Sequence, residues 1–364
     1  MQFSIDVDAG TVISGWVVLE NPGEIPTIIV EAGDNPPFEL PANVNRPDLK
    51  DVGLHATGMA GFQIDGSIVP NVESLKSICL REKISNIEIY RRFDIKKNLE
   101  RRVFVYTFSS LSQREMIRSI TRKFSSSYLN IERYPYETIN AILNSPTFRS
   151  VVCIGRPSYM RYAGALAAQG FFKSALLRDP FEELAERLLL LRLASRTQNP
   201  TLVEQQLSGF MQLRPFVDRL DFNSDRDLRF AFRALTMEQK ACISNPVTRI
   251  LACEIGEMAE RRHVGLALDH LSKMELVGTM TQFEAFRTMF NSLLGEEIIL
   301  HAEHQDVKPV SELAKRLSGI NTVVQLIEHD LALYSYAEEA VLEGVSTWNA
   351  DIGQKNGGSA FPDA

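Results

Sequence analysis

Phe171-Phe172-Lys173-Ser174-Ala175-Leu176-Leu177-Arg178-Asp179-Pro180-Phe181-Glu182-Glu183-Leu184 is an apolar run that ends on an arginine, an aspartate and a proline, and then opens a helix. A buried strand therefore finishes on a cation at a helix N-terminus. Pro180 has no N–H to lose in a first helical turn, and Glu182 and Glu183 suit the positive end of the helix dipole. Arg178, a planar fork of donors beside free helix N–H groups, is suited to grip a phosphate. The plainer alternative is an ordinary β–α junction with an Arg178–Asp179 surface pair.

Working outward, Val103-Phe104-Val105-Tyr106-Thr107-Phe108 is a second apolar run, followed by the polar loop Ser109-Ser110-Leu111-Ser112-Gln113. A helical pattern from Arg114 to Phe124 then places Met116, Ile117 and Ile120 on one face. Ser150-Val151-Val152-Cys153-Ile154-Gly155 reads as another buried strand. Strands alternating with helices imply an α/β domain, a parallel sheet flanked by helices, with ligand sites beyond the carboxyl ends of the strands. Ser109 to Gln113, Arg156 and Arg178 each follow a strand directly, so they converge if those ends align.

Beyond residue 181 the pattern is a helical C-terminal half. An amphipathic helix is expected over 182–196, with others near 201–213, 226–234, 247–259, 281–294 and 310–318. One short strand, Met274-Glu275-Leu276-Val277-Gly278, interrupts them. Upstream the character differs. Thr11 to Leu19, Pro26 to Val30, Gly61 to Ile64 and Ser85 to Tyr90 are short β-branched or aromatic runs punctuated by Pro and Gly, the pattern of a small β-sandwich. The expected organisation is a β-sandwich accessory domain over 1–95, an α/β domain over 100–348 and a disordered tail over 351–364.

Composition narrows the classes. The chain has 364 residues, 45% of them hydrophobic and 23% charged, with a net charge of −7. That balance argues against a general nucleic-acid binder. It leaves room for a local basic patch at Arg101, Arg102, Arg114, Arg118, Arg122 and Lys123, against the simpler reading of a solvated helix face. Cys79, Cys153, Cys242 and Cys253 are dispersed and read as reduced, buried hydrophobes. No signal peptide and no apolar stretch of about 20 residues is present, so a cytoplasmic location without a transmembrane segment is expected.

Arg46-Pro47-Asp48-Leu49 with Gly58-Met59-Ala60-Gly61-Phe62 resembles a β module found attached to bacterial carbohydrate-modifying transferases. Trp16 and Phe62 are its possible sugar-stacking rings, against the simpler reading of sandwich core. In the larger domain four segments fall in a suggestive order. They are the strand–loop–helix at 103–120, Leu177-Arg178-Asp179-Pro180, Leu271 to Gly278 leading into the helix from Phe283, and Asp330-Leu331-Ala332-Leu333-Tyr334-Ser335-Tyr336-Ala337. Over about 100–340 this order resembles the Golgi-type and bacterial carbohydrate sulfotransferases. The resemblance implies a P-loop-like sulfotransferase fold and 3′-phosphoadenosine 5′-phosphosulfate as co-substrate. It also implies a polysaccharide or glycolipid acceptor. Carried over, Ser109, Ser110, Ser112 and Gln113 would hold the 5′-phosphosulfate and Arg178 the 3′-phosphate. Val277 and Leu333 would pack in the core, and Tyr334 would satisfy its hydroxyl there.

Three departures set this chain apart from that family. The first loop has no lysine and no glycine, Glu186 replaces a serine eight residues after the arginine, and Gly155-Arg156 stands where relatives carry Gly-His. Arg156 cannot take a proton, although it can neutralise charge near a transferred sulfuryl group. Glu186 would repel a phosphate unless it is turned away or paired, for instance with Arg187 or Arg156. Each missing charged contact is worth about 1.5–3 kcal/mol, so two would weaken donor binding by about two to four orders of magnitude. Three readings follow: a sulfotransferase with a rebuilt site, a non-catalytic binding or scaffold protein of that fold in polysaccharide assembly, and a glycosyltransferase using a nucleotide sugar. No metal is expected: His301 and His304 read as a surface pair, and His263 and His270 share at most one helix face. His329-Asp330 lies in a structural helix, and Ser125-Ser126-Ser127 reads as a loop.

Overall fold

The computed structural model describes every residue except Glu20, Ser112, 197–207, 301–306 and 358–364. Ser112 and the pair His301 and His304 thus lie outside the described residues. The N-terminal elements are β1 Gln2–Asp8, β2 Ile13–Val18, β3 Thr27–Ala32, β4 Phe38–Pro41, β5 Val44–Asn45, α1 Pro47–Asp51, β6 Met59–Ile64, β7 Ile78–Glu82 and β8 Glu88–Arg91. Next come β9 Arg102–Thr107, α2 Arg114–Thr121, β10 Ser126–Leu129, α3 Tyr136–Asn144, β11 Val151–Gly155, α4 Tyr159–Ala168, β12 Phe172–Leu177 and α5 Pro180–Arg196. The rest is α6 Arg214–Val217, α7 Asp225–Arg233, α8 Met237–Ile243, α9 Pro246–Ala252, α10 Arg261–Ser272, β13 Leu276–Thr279, α11 Phe283–Leu294, α12 Lys308–Ser318, α13 Asn321–Leu326 and α14 Glu328–Gly357.

The chain divides into two compact units. One comprises Met1–Phe104, Arg118–Gly155 and Ala163–Phe172, and the other Val105–Ile117, Arg156–Tyr162 and Lys173–Ala364. The class is α/β, with a five-stranded parallel sheet in the order β10-β11-β9-β12-β13 and helices flanking it.

The first unit also holds two four-stranded antiparallel sheets, β1-β2-β6-β5 and β4-β3-β7-β8, consistent with the small β-sandwich expected there. Their strands alternate as half-buried strands must: β1 buries Phe3 and Ile5, and β3 buries Ile28, Val30 and Ala32. Asp8 on β1 accepts hydrogen bonds from Arg92 Nε (2.8 Å) and Tyr90 Oη (2.5 Å). Burial raises the Asp8 pKa, but these bonds and the Gly10 N–H outweigh it and hold the carboxyl below its usual value. The Arg46-Pro47-Asp48-Leu49 motif is structural. Arg46 N–H donates to the Gly58 carbonyl at 2.7 Å, and Gly58 has a positive φ of 83°. Leu49, Val18 and Ala60 are buried together with Trp16 packed on them, and Phe62 is buried, so both rings belong to the core.

Ser126–Leu129 forms β10, which corrects the reading of Ser125 to Ser127 as a loop. Ser126 is fully buried, pairs with Val151 and donates its N–H to the Ser150 carbonyl at 3.1 Å. The polar composition concealed the strand because its burial comes from parallel pairing with β11, a partner about 25 residues away.

In the second unit β12 and β13 run parallel, from Ser174 opposite Leu276 to Leu177 opposite Thr279. Gly278 is where α11 closes on this strand. A Cβ there would lie 2.5 Å from Phe286 Cδ2 and 2.9 Å from Phe286 Cβ. Gly278→Ala is therefore expected to destabilise the protein by about 1–3 kcal/mol through overpacking. Urea denaturation checks this, and an unchanged midpoint would show that the helix shifts freely.

α5 is not the amphipathic helix that its pattern suggested. Residues 183–188 are buried in succession, with Leu184, Leu188 and Leu191 packed against Leu213, Val217, Phe232, Leu313 and Leu317. Over 183–188 the helix is enclosed on all sides and takes its charges inside with it, and buried charges must be paired. Elsewhere the helix expected over 247–259 stops at Ala252, and Ser208–Leu213 is a 3₁₀ segment within the helix expected over 201–213. Residues 201–207 lie outside the described residues. α14 overlaps residues 351–357 of the segment read as a tail. No described helix is long and apolar enough to cross a membrane.

Candidate functional site

The strand ends in the second unit bring together residues 77 positions apart. After β9, the Phe108 N–H bonds the Leu176 carbonyl at 3.1 Å, which lays the 109–111 loop across the end of β12. After β12, the chain passes Arg178 and enters α5. Asp179 Oδ1 accepts the N–H groups of Phe181 (2.9 Å) and Glu182 (3.0 Å), so Asp179 caps the helix and makes no surface pair with Arg178.

Glu186 occupies the meeting point. Its Oε1 takes Arg178 Nε at 2.9 Å, while its Oε2 takes Ser109 Oγ at 2.8 Å, Ser110 N–H at 2.8 Å and Leu111 N–H at 3.0 Å. One guanidinium, one hydroxyl and two backbone N–H groups around a single anion form a phosphate-type cradle. Here the anion is the chain's own carboxylate. Glu186 is in the second turn of α5, eight residues after Arg178, and its side chain tilts toward the helix N-terminus and so back at the strand end. Arg178 and Glu186 are 4% and 1% exposed, so water does not share the cradle. Burial pushes the Glu186 carboxyl above its usual pKa, and Arg178, the Leu111 N–H and the Ser109 hydroxyl recover part of the shift.

A second layer lies behind it. Glu183 pairs with Arg187, accepts Ser110 Oγ at 3.0 Å, and lies 3.4 Å from Arg156 Nη1. Phe210 stacks against Arg187 at 3.7 Å. The pairing thus differs from the expected one: Arg187 and Arg156 serve Glu183, and Glu186 is served by Arg178. Arg156 is therefore drawn toward Glu183. Gln113 lies at the entry of α2, its carbonyl accepting the Ile117 N–H at 2.9 Å. Arg156, Arg178 and Arg187 are matched by Glu182, Glu183 and Glu186, so the cluster is electrically balanced. Sequence reasoning missed the role of Glu183 and Phe210. The available signal was two glutamates and an arginine just before the apolar run Leu188-Leu189-Leu190-Leu191 of one helix.

Other clusters are structural. Asp330 on α14 accepts Val247 N–H (3.0 Å), Thr248 N–H (2.7 Å) and Thr248 Oγ1 (2.6 Å), capping α9, so the His329-Asp330 pair is not a base with its orienter. Tyr334 donates to Glu338 at 3.2 Å; Leu333 is buried and Val277 half-buried.

Cys253, Glu257 and His263 are the metal-capable cluster among the described residues, with ligand atoms within 4.8 Å of one another. His263 Nδ1 accepts the Glu260 N–H at 2.9 Å, and its Nε2 is 3.2 Å from Glu257. A neutral imidazole with Nδ1 accepting carries its proton on Nε2, the atom a metal would need. Moving that proton to Nδ1 would set N–H against N–H and break the helix cap. Burial also pushes the Cys253 thiol up to about 11, away from the thiolate a metal binds.

No family model and no curated protein matches the chain. Among solved structures, mouse sulfotransferase SULT7A1 complexed with PAP is similar at 10% identity and a TM-score of 0.29. That match covers 64% of this chain and 74% of the mouse chain. These comparisons do not place the chain in a family.

Proposed function

We propose that this chain is a non-catalytic protein of the sulfotransferase-like kind, a binding or scaffold protein whose donor-phosphate cradle is filled by its own Glu186. The carrying observation is the set of four donors, Arg178, Ser109 and the Ser110 and Leu111 N–H groups, all spent on that one carboxylate. A phosphate or sulfate entering beside Glu186 would add negative charge to a dry cluster that is already balanced, a cost of several kcal/mol. The residues carried over from the resemblance therefore do not fit 3′-phosphoadenosine 5′-phosphosulfate as they stand. The resemblance to carbohydrate sulfotransferases suggests polysaccharide or glycolipid assembly as the setting.

The test is thermal melting with adenosine 3′,5′-bisphosphate. Ligand at about a hundred times its dissociation constant stabilises by about 2.7 kcal/mol, several degrees in melting temperature. No shift is expected. A shift with the bisphosphate would overturn the proposal in favour of sulfuryl transfer, and one with a nucleoside diphosphate would favour nucleotide-sugar transfer. One feature supports the sulfuryl-transfer reading: Arg178 Nη1 is buried without a hydrogen bond, although Glu182 is 3.1 Å away. That leaves one donor for an anion if Glu186 withdraws.

A further inference from the structure

We propose that this protein self-associates, with Phe230 of one copy entering an apolar groove beside α14 of another. α7 buries Leu228 and Phe232 and turns Arg226, Arg229, Phe230 and Arg233 outward, at i, i+3, i+4 and i+7. Phe230 is 76% exposed, and none of the three arginines has an ion pair or hydrogen bond among the described residues. Asp225 on the same helix is taken by Arg316 at 2.6 Å. An exposed aromatic ring among unpaired guanidiniums has the composition of an interface anchor.

The complementary surface is in the same unit of the chain. A groove of about 480 Å³ is lined by Leu276, Phe286, Leu293, Tyr336, Ala340 and Gly344, among other apolar residues. Small side chains on α14 keep it open, and a Cβ at Gly344 would meet nothing within 4 Å. On the adjoining exposed face of α14, Glu339 and Glu343 stand one turn apart with no cationic partner among the described residues. Lys273 and Arg287, on the neighbouring elements, are already paired with Asp269 and Glu284. An apolar slot flanked by two free carboxylates thus matches an aromatic knob flanked by three free cations, against which Asp227 is the one free acid of α7. A net charge of −7 makes copies of the chain repel on average, and a cationic patch offsets that repulsion locally. The contact joins two different patches, so it is heterologous and closes as a ring or extends as a chain.

Sedimentation velocity of the full chain, from low micromolar to about 100 µM, tests this. Concentration-dependent association is expected, weakened about tenfold or more between about 50 and 500 mM salt. Two charge-reversed variants, R226E/R229E/R233E and E339R/E343R, should each be monomeric, while an equimolar mixture of them should associate again. Gly344→Phe, which fills the groove at a site with room for it, should also give monomers. Normal melting temperatures exclude misfolding as the cause. A monomeric parent protein, reversed variants that associate like the parent, or a mixture that stays monomeric would each overturn the proposal.

Discussion

Glu186→Ser is expected to lower stability by about 3–5 kcal/mol and to make the protein respond to sulfate. The substitution leaves the Arg178 guanidinium at 4% exposure with only Glu182 beside it, and strips the acceptor from the Ser110 and Leu111 N–H groups. An unpaired buried charge and two orphaned donors account for the size of the loss. The same vacancy presents a cation, a hydroxyl and two N–H groups to any small anion. Sulfate at millimolar concentration should therefore raise the urea midpoint of the variant more than that of the parent, whose general response to sulfate is the control. Equal sulfate responses would mean that the loop collapses when the carboxylate leaves, and that Glu186 supports the loop without standing in for an anion.

Asp330→Ala should be comparably severe, about 3–5 kcal/mol, because one carboxylate serves three buried donors at the start of α9. The capping is reciprocal: Asn245 Oδ1, just before α9, accepts the N–H groups of His329 (2.9 Å) and Asp330 (3.2 Å) at the start of α14. Asp330 also predicts an unusual pH dependence. Burial, with the charge of Glu183 adding to it, pushes the carboxyl up to about 6 despite the bonds from Thr248 and Val247. The folded state then holds a proton that the unfolded state releases at about pH 3.9. In that window the native form binds more protons, so stability from this group increases as pH falls through about 6 and is lost as pH rises. The stability advantage of the parent over Asp330→Asn should therefore grow from about pH 7 to about pH 5 in chemical denaturation. An advantage that shrinks on acidification would show Asp330 acting as an ordinary paired carboxylate.

The strands at 102–107, 151–155 and 172–177 and the helix start at Pro180 were readable because each is a local pattern: an apolar run, a proline, an acidic first turn. β10 was not readable, since its serines are buried by parallel pairing with β11, a strand about 25 positions away. The cradle was half readable. Arg178 at a strand end and the serine loop follow from local order, and Glu186 was recognised as a departure. Its partner was misassigned because Arg187, adjacent in sequence, and Arg156 both pair with Glu183, one turn earlier on α5.

Periodicity and composition alone determined an α/β chain with a strand-rich N-terminal region and a helical second half, because burial imposes those repeats on any sequence that folds this way. Whether Arg178 meets a ligand or a glutamate was decided only in three dimensions. Enclosing residues 183–188 of α5 brought the Glu186 carboxylate within reach of loop N–H groups 75 and 76 residues away, and a dry interior requires that such charges find partners.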